Sequence, residues 1–337
     1  MVRLKKINMN IIVTGGAGFI GSHLVETLVS DGHKVTVIDN LCTGRLENLS
    51  NVKDKINLLN LDISKNDDLS KYFEKIDKVF HLAGLADIIP SIKNPGDYYR
   101  TNVNGTFNVL EASRKANVKK LIYSASASCY GLPEVCPTPE SSEIKPMYPY
   151  ALTKWLGEEL VMSWKKIYNL PTISLRFFNV YGPRSRSSGT YGAVFGVFLA
   201  QKIAGKPFTI VGDGKQTRDF TYVSDVVDAM IKASESNVEG EIFNIGSEKD
   251  VSVNRIAELL EGEKVYIPKR PGEPEKSLAD ISKIKKTLFW EPKISLEKGI
   301  KIMLENIDFW KSAPVWTPSS INDITSDWFK FLEDKKD

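Results

Sequence analysis

Tyr150 and Lys154 lie four residues apart, directly after Pro149, and are the residues best suited to do chemistry. Residues at this spacing share one face of a helix, so the Lys154 ammonium can lie beside the Tyr150 phenol and favour its ionised form. Pro149 is typical of a first helical turn, whose amino-terminal dipole would stabilise the same anion. No other tyrosine of the chain has a lysine four residues later. The spacing therefore predicts a tyrosine that accepts a proton near neutral pH.

The elements that must position this pair follow an alternating pattern of short β-branched runs and amphipathic stretches. The predicted strands are Ile11 to Thr14, Lys34 to Asp39, Ile56 to Asn60, Lys78 to Leu82, Lys120 to Ser124, Thr172 to Phe177, Asp219 to Val223 and Glu241 to Ile245. Such alternation indicates an α/β fold with a doubly wound parallel (Rossmann) sheet, because each crossover helix must cover a sheet face. Glycine- and proline-rich loops after Asn179 predict a smaller, interwoven lobe.

A glycine loop lies between the first predicted strand and the first predicted helix, where residues 15–21 have the pattern G-x-x-G-x-x-G. In this context backbone amides and a helix amino terminus can face a pyrophosphate. Asp39 ends the next strand, where a carboxylate would bond an adenosine ribose and repel a 2′-phosphate. The order of strand, loop, helix and acid argues against a simple turn of small residues. It predicts NAD over NADP, a preference that the nearby Arg45 softens.

Composition and charge exclude several other classes of protein. The 337 residues include 45 basic and 42 acidic side chains, so the net charge is +3. This small excess of positive charge does not indicate nucleic-acid binding and favours a metabolite as the ligand. We find no signal-peptide core and no apolar stretch long enough to span a bilayer, and therefore expect a cytoplasmic protein that binds no membrane. The three cysteines and three histidines have no ligand spacing, so no metal is predicted.

Several motifs resemble those of the extended short-chain dehydrogenase/reductase family. They are TGGAGFIG from Thr14, VIDN from Val37, HLAG from His81, SASASCYG from Ser124 and YALTK from Tyr150. Later motifs are similar to those of the NAD-dependent nucleotide-sugar epimerase/dehydratase branch, including UDP-glucose and UDP-N-acetylglucosamine 4-epimerases. These are RFFNVYGPR from Arg176, GDGKQTRDFTYVSD from Gly212 and KRPGEPEKSLAD from Lys269. The resemblance extends from Asn8 to about Lys311. It implies an NAD-binding Rossmann domain of residues 1–178 and 217–247, and a nucleotide-sugar-binding lobe of residues 179–216 and 248–337 with a C-terminal extension.

The resemblance also implies a reaction. Tyr150, Lys154 and Ser126 occupy the catalytic positions, although Ser126 could instead cap the loop that follows it. NAD would oxidise C4 of the hexose to a transient 4-keto sugar, with Lys154 and the cationic nicotinamide lowering the Tyr150 pKa. Dehydratases of this branch next use an Asp-Glu pair, where this chain has Ala127 and Ser128, and the glutamate of related decarboxylases is absent too. Return of the hydride to the other face, which is 4-epimerisation, is the reaction that remains.

The binding residues are carried over from the same motifs. For the cofactor they are Gly15, Gly18, Phe19, Ile20, Gly21, Asp39, Asn40, Thr43, Gly44, Asp62, Ile63, Leu82, Ala83, Gly84, Ala86, Thr101, Ser124, Tyr150, Lys154 and Phe178. For the substrate they are Ser126, Asn179, Val211, Arg218, Arg270 and Ser277. The alternative for Arg218 is an ion pair with Asp219 or Asp225. A small residue at position 277 favours a 2-acetamido sugar, since relatives with a tyrosine there suit plain hexoses.

Three features leave alternatives open. Ala86 and Thr101 replace a lysine and an asparagine of the epimerases that the chain resembles. The chain continues past Lys311 with an amphipathic stretch from Ile324 to Leu332, which could cover an interface, shield the active site or pack on its own lobe. Helices expected at residues 94–117 and 150–168 resemble those that form a homodimer in this family. Rival functions are a net C4 dehydrogenase, an epimerase acting at another carbon, and a non-catalytic NAD-sensing regulator.

Overall fold

A computed structural model describes residues 8–65, 68–185 and 193–332. Its strands are β1 (Asn10–Thr14), β2 (Lys34–Asp39), β3 (Ile56–Asn60), β4 (Lys78–His81), β5 (Lys120–Ser126), β6 (Thr172–Phe177), β7 (Asn179–Tyr181), β8 (Phe208–Val211), β9 (Thr217–Tyr222), β10 (Glu241–Ile245), β11 (Asp250–Ser252), β12 (Lys264–Ile267) and β13 (Lys276–Ser277). Its helices are α1 (Phe19–Ser30), α2 (Ser70–Phe73), α3 (Ile88–Lys93), α4 (Pro95–Tyr98), α5 (Gly105–Lys115), α6 (Pro149–Tyr168), α7 (Val194–Ile203), α8 (Val223–Glu235), α9 (Val253–Leu259), α10 (Ser282–Leu288), α11 (Leu296–Glu305) and α12 (Pro318–Leu332).

Seven of these strands form a parallel sheet in the order β10-β6-β5-β4-β1-β2-β3. The inner strands are largely buried, as parallel strands covered on both faces must be, whereas the edge strand β3 has no buried residue. Leu24 of α1 and Met230 of α8 belong to the apolar cluster on one face. Val109 of α5 and Val161 of α6 belong to the cluster on the other. The predicted doubly wound α/β sheet is therefore confirmed, and four of its strands have the predicted bounds.

The smaller lobe contains two further sheets. In one, β9 pairs with β7, β11 and β13, and in the other β8 pairs with β12. Residues 217–222, which the resemblance assigns to the NAD-binding domain, thus form a strand whose hydrogen bonds lie outside the seven-stranded sheet. The chain returns to the large sheet through α8, which packs on α1.

The C-terminal helix α12 begins at Pro318, six residues before the predicted amphipathic stretch. It buries Ile321, Thr325 and Trp328, which lie on one helical face, and it packs on α3. The residues predicted as one helix from 94 to 117 form α4, a π-helical turn (Tyr99–Asn104) and α5 in succession. No helix among the described residues is long and apolar enough to cross a membrane.

Candidate active site

A cavity of about 700 Å³ opens at the carboxyl ends of the large sheet and extends to the smaller lobe. Every residue that the sequence predicts to bind cofactor or substrate lines it, with the exception of Gly44. That glycine instead lies against Asp39, where an added Cβ would be 2.8 Å from a carboxylate oxygen. We call the part around residues 15–21 and Asp39 the glycine-loop end. The part around Arg218, Arg270, Glu273 and Ser277 is the arginine end.

The glycine-loop end is shaped by close main-chain contacts. Gly15 has a φ of +71°, and a Cβ there would lie 2.7 Å from the backbone nitrogen of Ala83. A Cβ on Gly21 would lie 2.2 Å from the carbonyl oxygen of Gly15, so only glycine lets α1 begin this close to the loop. The Asp39 carboxylate accepts hydrogen bonds from the Ala17 amide at 2.9 Å and the Leu41 amide at 2.8 Å.

This end fits the predicted dinucleotide. The first turn of α1 follows Gly18 without a side-chain cap and lines the cavity, which leaves its amides available to a pyrophosphate. Asp39 remains at the cavity wall, although burial raises the pKa of its carboxyl. The residues that would hold NAD here are the loop glycines, Asp39 and the lining of β4 and β5. When bound, NAD supplies a hydride acceptor and donor.

Tyr150 and Lys154 both line the cavity from the first turns of α6, which begins at Pro149 as predicted. Burial raises the pKa of Tyr150, and hydrogen bonds from the Ser126 and Ser128 hydroxyls oppose that rise. The two serine oxygens lie 2.9 Å apart. Burial is the largest influence of the protein chain on this pKa. The lowering expected from Lys154 together with the cationic nicotinamide stays a prediction, because it needs the bound cofactor.

Lys154 lies beneath this group, with its Nζ atom 4.5 Å from the centre of the Tyr123 ring. Burial lowers the pKa of Lys154 to about 7, and Glu158, one helical turn later, opposes that fall. Glu158 is itself held by a buried ion pair with Arg176 and by the Ser174 hydroxyl at 2.7 Å. The lysine is therefore poised between its charged and neutral forms near neutral pH.

The arginine end concentrates two guanidinium groups on one carboxylate. Arg270 Nη1 lies 3.0 Å from Glu273 Oε1, and Arg218 Nη2 lies 3.9 Å from Glu273 Oε2. Arg218 also donates to the carbonyls of Thr217 and Pro274. Planar guanidinium donors of this kind match phosphate oxygens.

The alternative partners considered for Arg218 bond elsewhere. Asp219 accepts from the Ser247 amide at 2.6 Å, and Asp225 accepts from the Ile294 amide at 3.0 Å. Neither carboxylate pairs with Arg218 among the described contacts, so that alternative is wrong. Arg218 keeps its place at the cavity wall.

Sequence reasoning missed two residues of the site. The sequence indicates Ser128 only as a residue that cannot replace the acid of the dehydratases, yet its side chain forms a hydrogen bond with Tyr150. Asn102, 1% exposed, accepts from the Leu85 amide at 2.8 Å and donates to Thr153 at 3.1 Å. It thereby ties the loop after β4 to α6. Its neighbour Thr101 drew attention only through the family motif, and no periodic pattern marks a buried asparagine as a clamp.

With this geometry in view, similarity to known proteins defines the class. Residues 11–246 match the family model described as NAD dependent epimerase/dehydratase family. The chain therefore belongs to that family, which confirms the family resemblance, the NAD cofactor and the enzyme class.

Particular relatives differ in the reaction they perform. The chain is 38% identical over 299 residues to a putative UDP-glucose 4-epimerase of Methanocaldococcus jannaschii, covering 86% of this chain and 96% of the relative. It is 35% identical over 312 residues to a UDP-N-acetyl-alpha-D-glucosaminuronate decarboxylase of Bacillus cytotoxicus, covering 86% and 95%. The solved UDP-N-acetylglucosamine 4-epimerase of Methanobrevibacter ruminantium M1, in complex with UDP-N-acetylmuramic acid, superposes with a TM-score of 0.83 at 35% identity, covering 89% and 99%.

Proposed function

We propose that this protein is an NAD-dependent 4-epimerase of a UDP-sugar, with a 2-acetamido hexose as the preferred sugar. One observation carries the proposal. A single cavity brings Tyr150, Lys154 and two serine hydroxyls between a glycine loop and paired arginines, while no carboxylate follows Ser126. This set can move one proton at one hydroxyl, and positions 127 and 128 supply no carboxylic acid for a second proton transfer.

Each residue has a defined task in this reaction. Tyr150 accepts the proton of the C4 hydroxyl and later returns it, while Ser126 and Ser128 hold that hydroxyl and the phenol together. Lys154 supports the phenolate electrostatically. Arg218 and Arg270 bind the diphosphate, so the nucleotide stays anchored while the hexose turns between the two proton transfers.

The residues beside Ser126 separate this reaction from those of related enzymes. Ala127 has no ionisable group, and Ser128 is engaged with Ser126 and Tyr150. Removal of a C5 proton and expulsion of the C6 hydroxyl need an acid and a base at this point. The residues after Ser126 therefore do not support dehydration. The resemblance assigns to decarboxylases a glutamate that this chain lacks, so the decarboxylase relative is a weaker guide to the reaction than the 4-epimerase relatives.

Ser277 supports the choice of sugar. It lies on β13, paired in register with Arg218 of β9, and it faces the cavity with a small side chain. A 2-acetamido group needs room that a bulky residue at this position would take. The decarboxylase and one of the 4-epimerases similar to this chain carry N-acetylated sugars in their names.

Proton NMR of the purified protein incubated with UDP-glucose, UDP-N-acetylglucosamine, UDP-glucuronic acid and matching GDP-, CDP- and dTDP-sugars tests the proposal. We expect inversion at C4 of a UDP-sugar, fastest with UDP-N-acetylglucosamine, and no net rise in absorbance at the NADH wavelength. The Tyr150→Phe variant is the control for contaminating epimerase.

Other outcomes identify the rival functions. Lasting NADH with a 4-keto product would indicate a dehydrogenase, and inversion at C2 or C5 would indicate an epimerase of another carbon. A product altered at C6 would contradict the argument from Ala127 and Ser128. Binding of NAD without turnover of any sugar would favour the sensor.

We also propose a homodimer in the cytoplasm that serves the synthesis of surface polysaccharide precursors. The helices expected to form the dimer expose Tyr99, Phe107, Leu152, Ile167 and Tyr168, an apolar surface that a second copy would cover. Light scattering after gel filtration should give the mass of two chains. Phe107→Glu should reduce it to one.

A further inference from the structure

The C-terminal helix reaches the arginine end of the cavity. Trp328 of α12 is 2% exposed and lines the cavity, as do Ala313, Pro314 and Trp316 of the segment before it. The motifs that place this chain in its family end near Lys311, and the three relatives named above match 86 to 89% of it. The wall that Trp328 provides thus comes from outside the motifs that identify the family.

Trp328 makes three contacts with the site. Its ring lies 5.6 Å from the guanidinium carbon of Arg270, within the range of a cation–π interaction. Its Nε1 donates to the carbonyl of Pro271 at 2.8 Å, which fixes the ring beside the chain that carries Arg270. Its ring also lies 6.1 Å from that of Tyr148, which is stacked at 6.4 Å on the ring of Tyr150.

Other contacts hold α12 in this position. Ile321 and Thr325 are buried on the same face as Trp328. Asp327 pairs with Lys93 of α3 at 3.6 Å. The side-chain amide of Gln201 donates to the carbonyl of Trp316 at 2.8 Å, which ties the preceding segment to α7. The ring of Trp328 is therefore presented from a docked helix.

We propose that Trp328 is a positioning residue for nucleotide-sugar binding, an inference that rests on the proposed function of the same cavity. Arg270 is drawn toward Glu273 and lies near the like charge of Arg218. The indole face keeps the Arg270 guanidinium at the cavity wall, where it can meet a diphosphate. The C-terminal segment accordingly contributes to substrate binding by holding Arg270 in place.

Calorimetric titration with UDP tests this without any need for turnover. Trp328→Leu should weaken UDP binding about 10-fold, since a desolvated cation–π contact is lost. It should raise the KM for the UDP-sugar by a similar factor and leave kcat and the content of bound NAD near those of the wild type. Trp328→Phe keeps an aromatic face and should weaken binding less. Phe331→Ala, three residues later on α12 and 58% exposed, is the matched control and should bind UDP as the wild type does.

A double-mutant cycle isolates the contact with Arg270. In an Arg270→Gln background, Trp328→Leu should weaken UDP binding no further. Site-specific replacement of Trp328 by tetrafluorotryptophan keeps the shape of the ring and removes its negative face, so it tests the same contact even if Trp328→Leu does not fold. Unchanged UDP affinity in the fluorinated protein, or fully additive effects in the cycle, would overturn the proposal. A wild type that binds UDP but epimerises no sugar would overturn only the proposed function, whereas one that binds no UDP would overturn both.

Discussion

The glycine-loop end and the arginine end of the cavity are built in different ways. At the glycine-loop end, main-chain atoms of neighbouring segments do most of the work: the Gly15 amide donates to the carbonyl of Ile38 and the Ala17 amide to Asp39. At the arginine end, side chains make the contacts. Arg218 of β9 and Trp328 of α12 meet Glu273 and Arg270, which lie in the loop before β13. The first kind of site needs few residue types in a short stretch, and the second can change its lining while the fold stays the same.

Replacement of the Tyr150 hydroxyl is the change with the largest expected effect, and it should leave both ends intact. Tyr150→Phe should lower kcat by about 10²- to 10⁴-fold, the usual contribution of a positioned proton acceptor. NMR measures turnover, absorbance measures bound NAD at the glycine-loop end, and calorimetry measures UDP affinity at the arginine end. Tyr98→Phe is the control, because its ring lies edge-on to Tyr150 while its hydroxyl donates to the carbonyl of Asp87. Full activity in Tyr150→Phe would remove the basis of the proposed reaction.

A methyl group at Gly21 should damage the glycine-loop end alone. Because the new Cβ would lie 2.2 Å from the Gly15 carbonyl, the loop must shift, and a shift of this kind is expected to weaken NAD binding about 10²-fold. UDP affinity should stay close to that of the wild type. Gly96→Ala is the control, since its Cβ would meet only the end of the flexible Arg100 side chain at 3.3 Å. Equal losses of NAD and UDP affinity would show that the two ends are not independent.

This difference in construction explains what sequence could and could not predict. The alternation of strands and helices predicted the bounds of β2, β3, β6 and β10, because each is a short run rich in apolar residues between amphipathic stretches. The pairing of β9 was not predictable, since an apolar run does not say which strands will pair with it. The sheet that pairs with β9 is decided by long-range hydrogen bonds.

The same reasoning applies to the site. The glycine loop and Asp39 were predictable because a backbone requirement confines them to a few sequence positions. The burial that raises the pKa of Tyr150 was not predictable, because residues distant in sequence produce it. The contact of Trp328 with Arg270 joins residues far apart in sequence, and no local pattern constrains such a pair.

The lowered pKa of Lys154, which lies between the two ends of the cavity, can be tested through the stability of the protein. Its folded-state pKa is about 7, below the ordinary value of 10.5, so between those pH values the unfolded chain binds one more proton than the folded chain. The free energy of unfolding of the cofactor-free protein should therefore rise with pH, by up to about 1.4 kcal/mol per unit from this residue. Relative to Lys154→Met, the wild type should gain stability from pH 7 to pH 9 in urea unfolding experiments. Parallel curves of unfolding free energy against pH for the two proteins would contradict the lowered pKa of Lys154.

A tyrosine at position 277 should change the arginine end in the most limited way. Ser277→Tyr should reduce kcat/KM for UDP-N-acetylglucosamine relative to UDP-glucose by about 10-fold, because one bulky side chain in a pocket discriminates on that scale. NAD content should not change, since the substitution lies at the other end of the cavity. Lys276→Tyr is the matched control: it adds the same side chain to the neighbouring residue of β13, which is exposed and does not line the cavity. An equal loss for both sugars would mean that Ser277 contacts a part of the substrate that they share. A shift toward UDP-glucose in the control as well would mean that the position of β13, and not the volume beside the sugar, sets the preference.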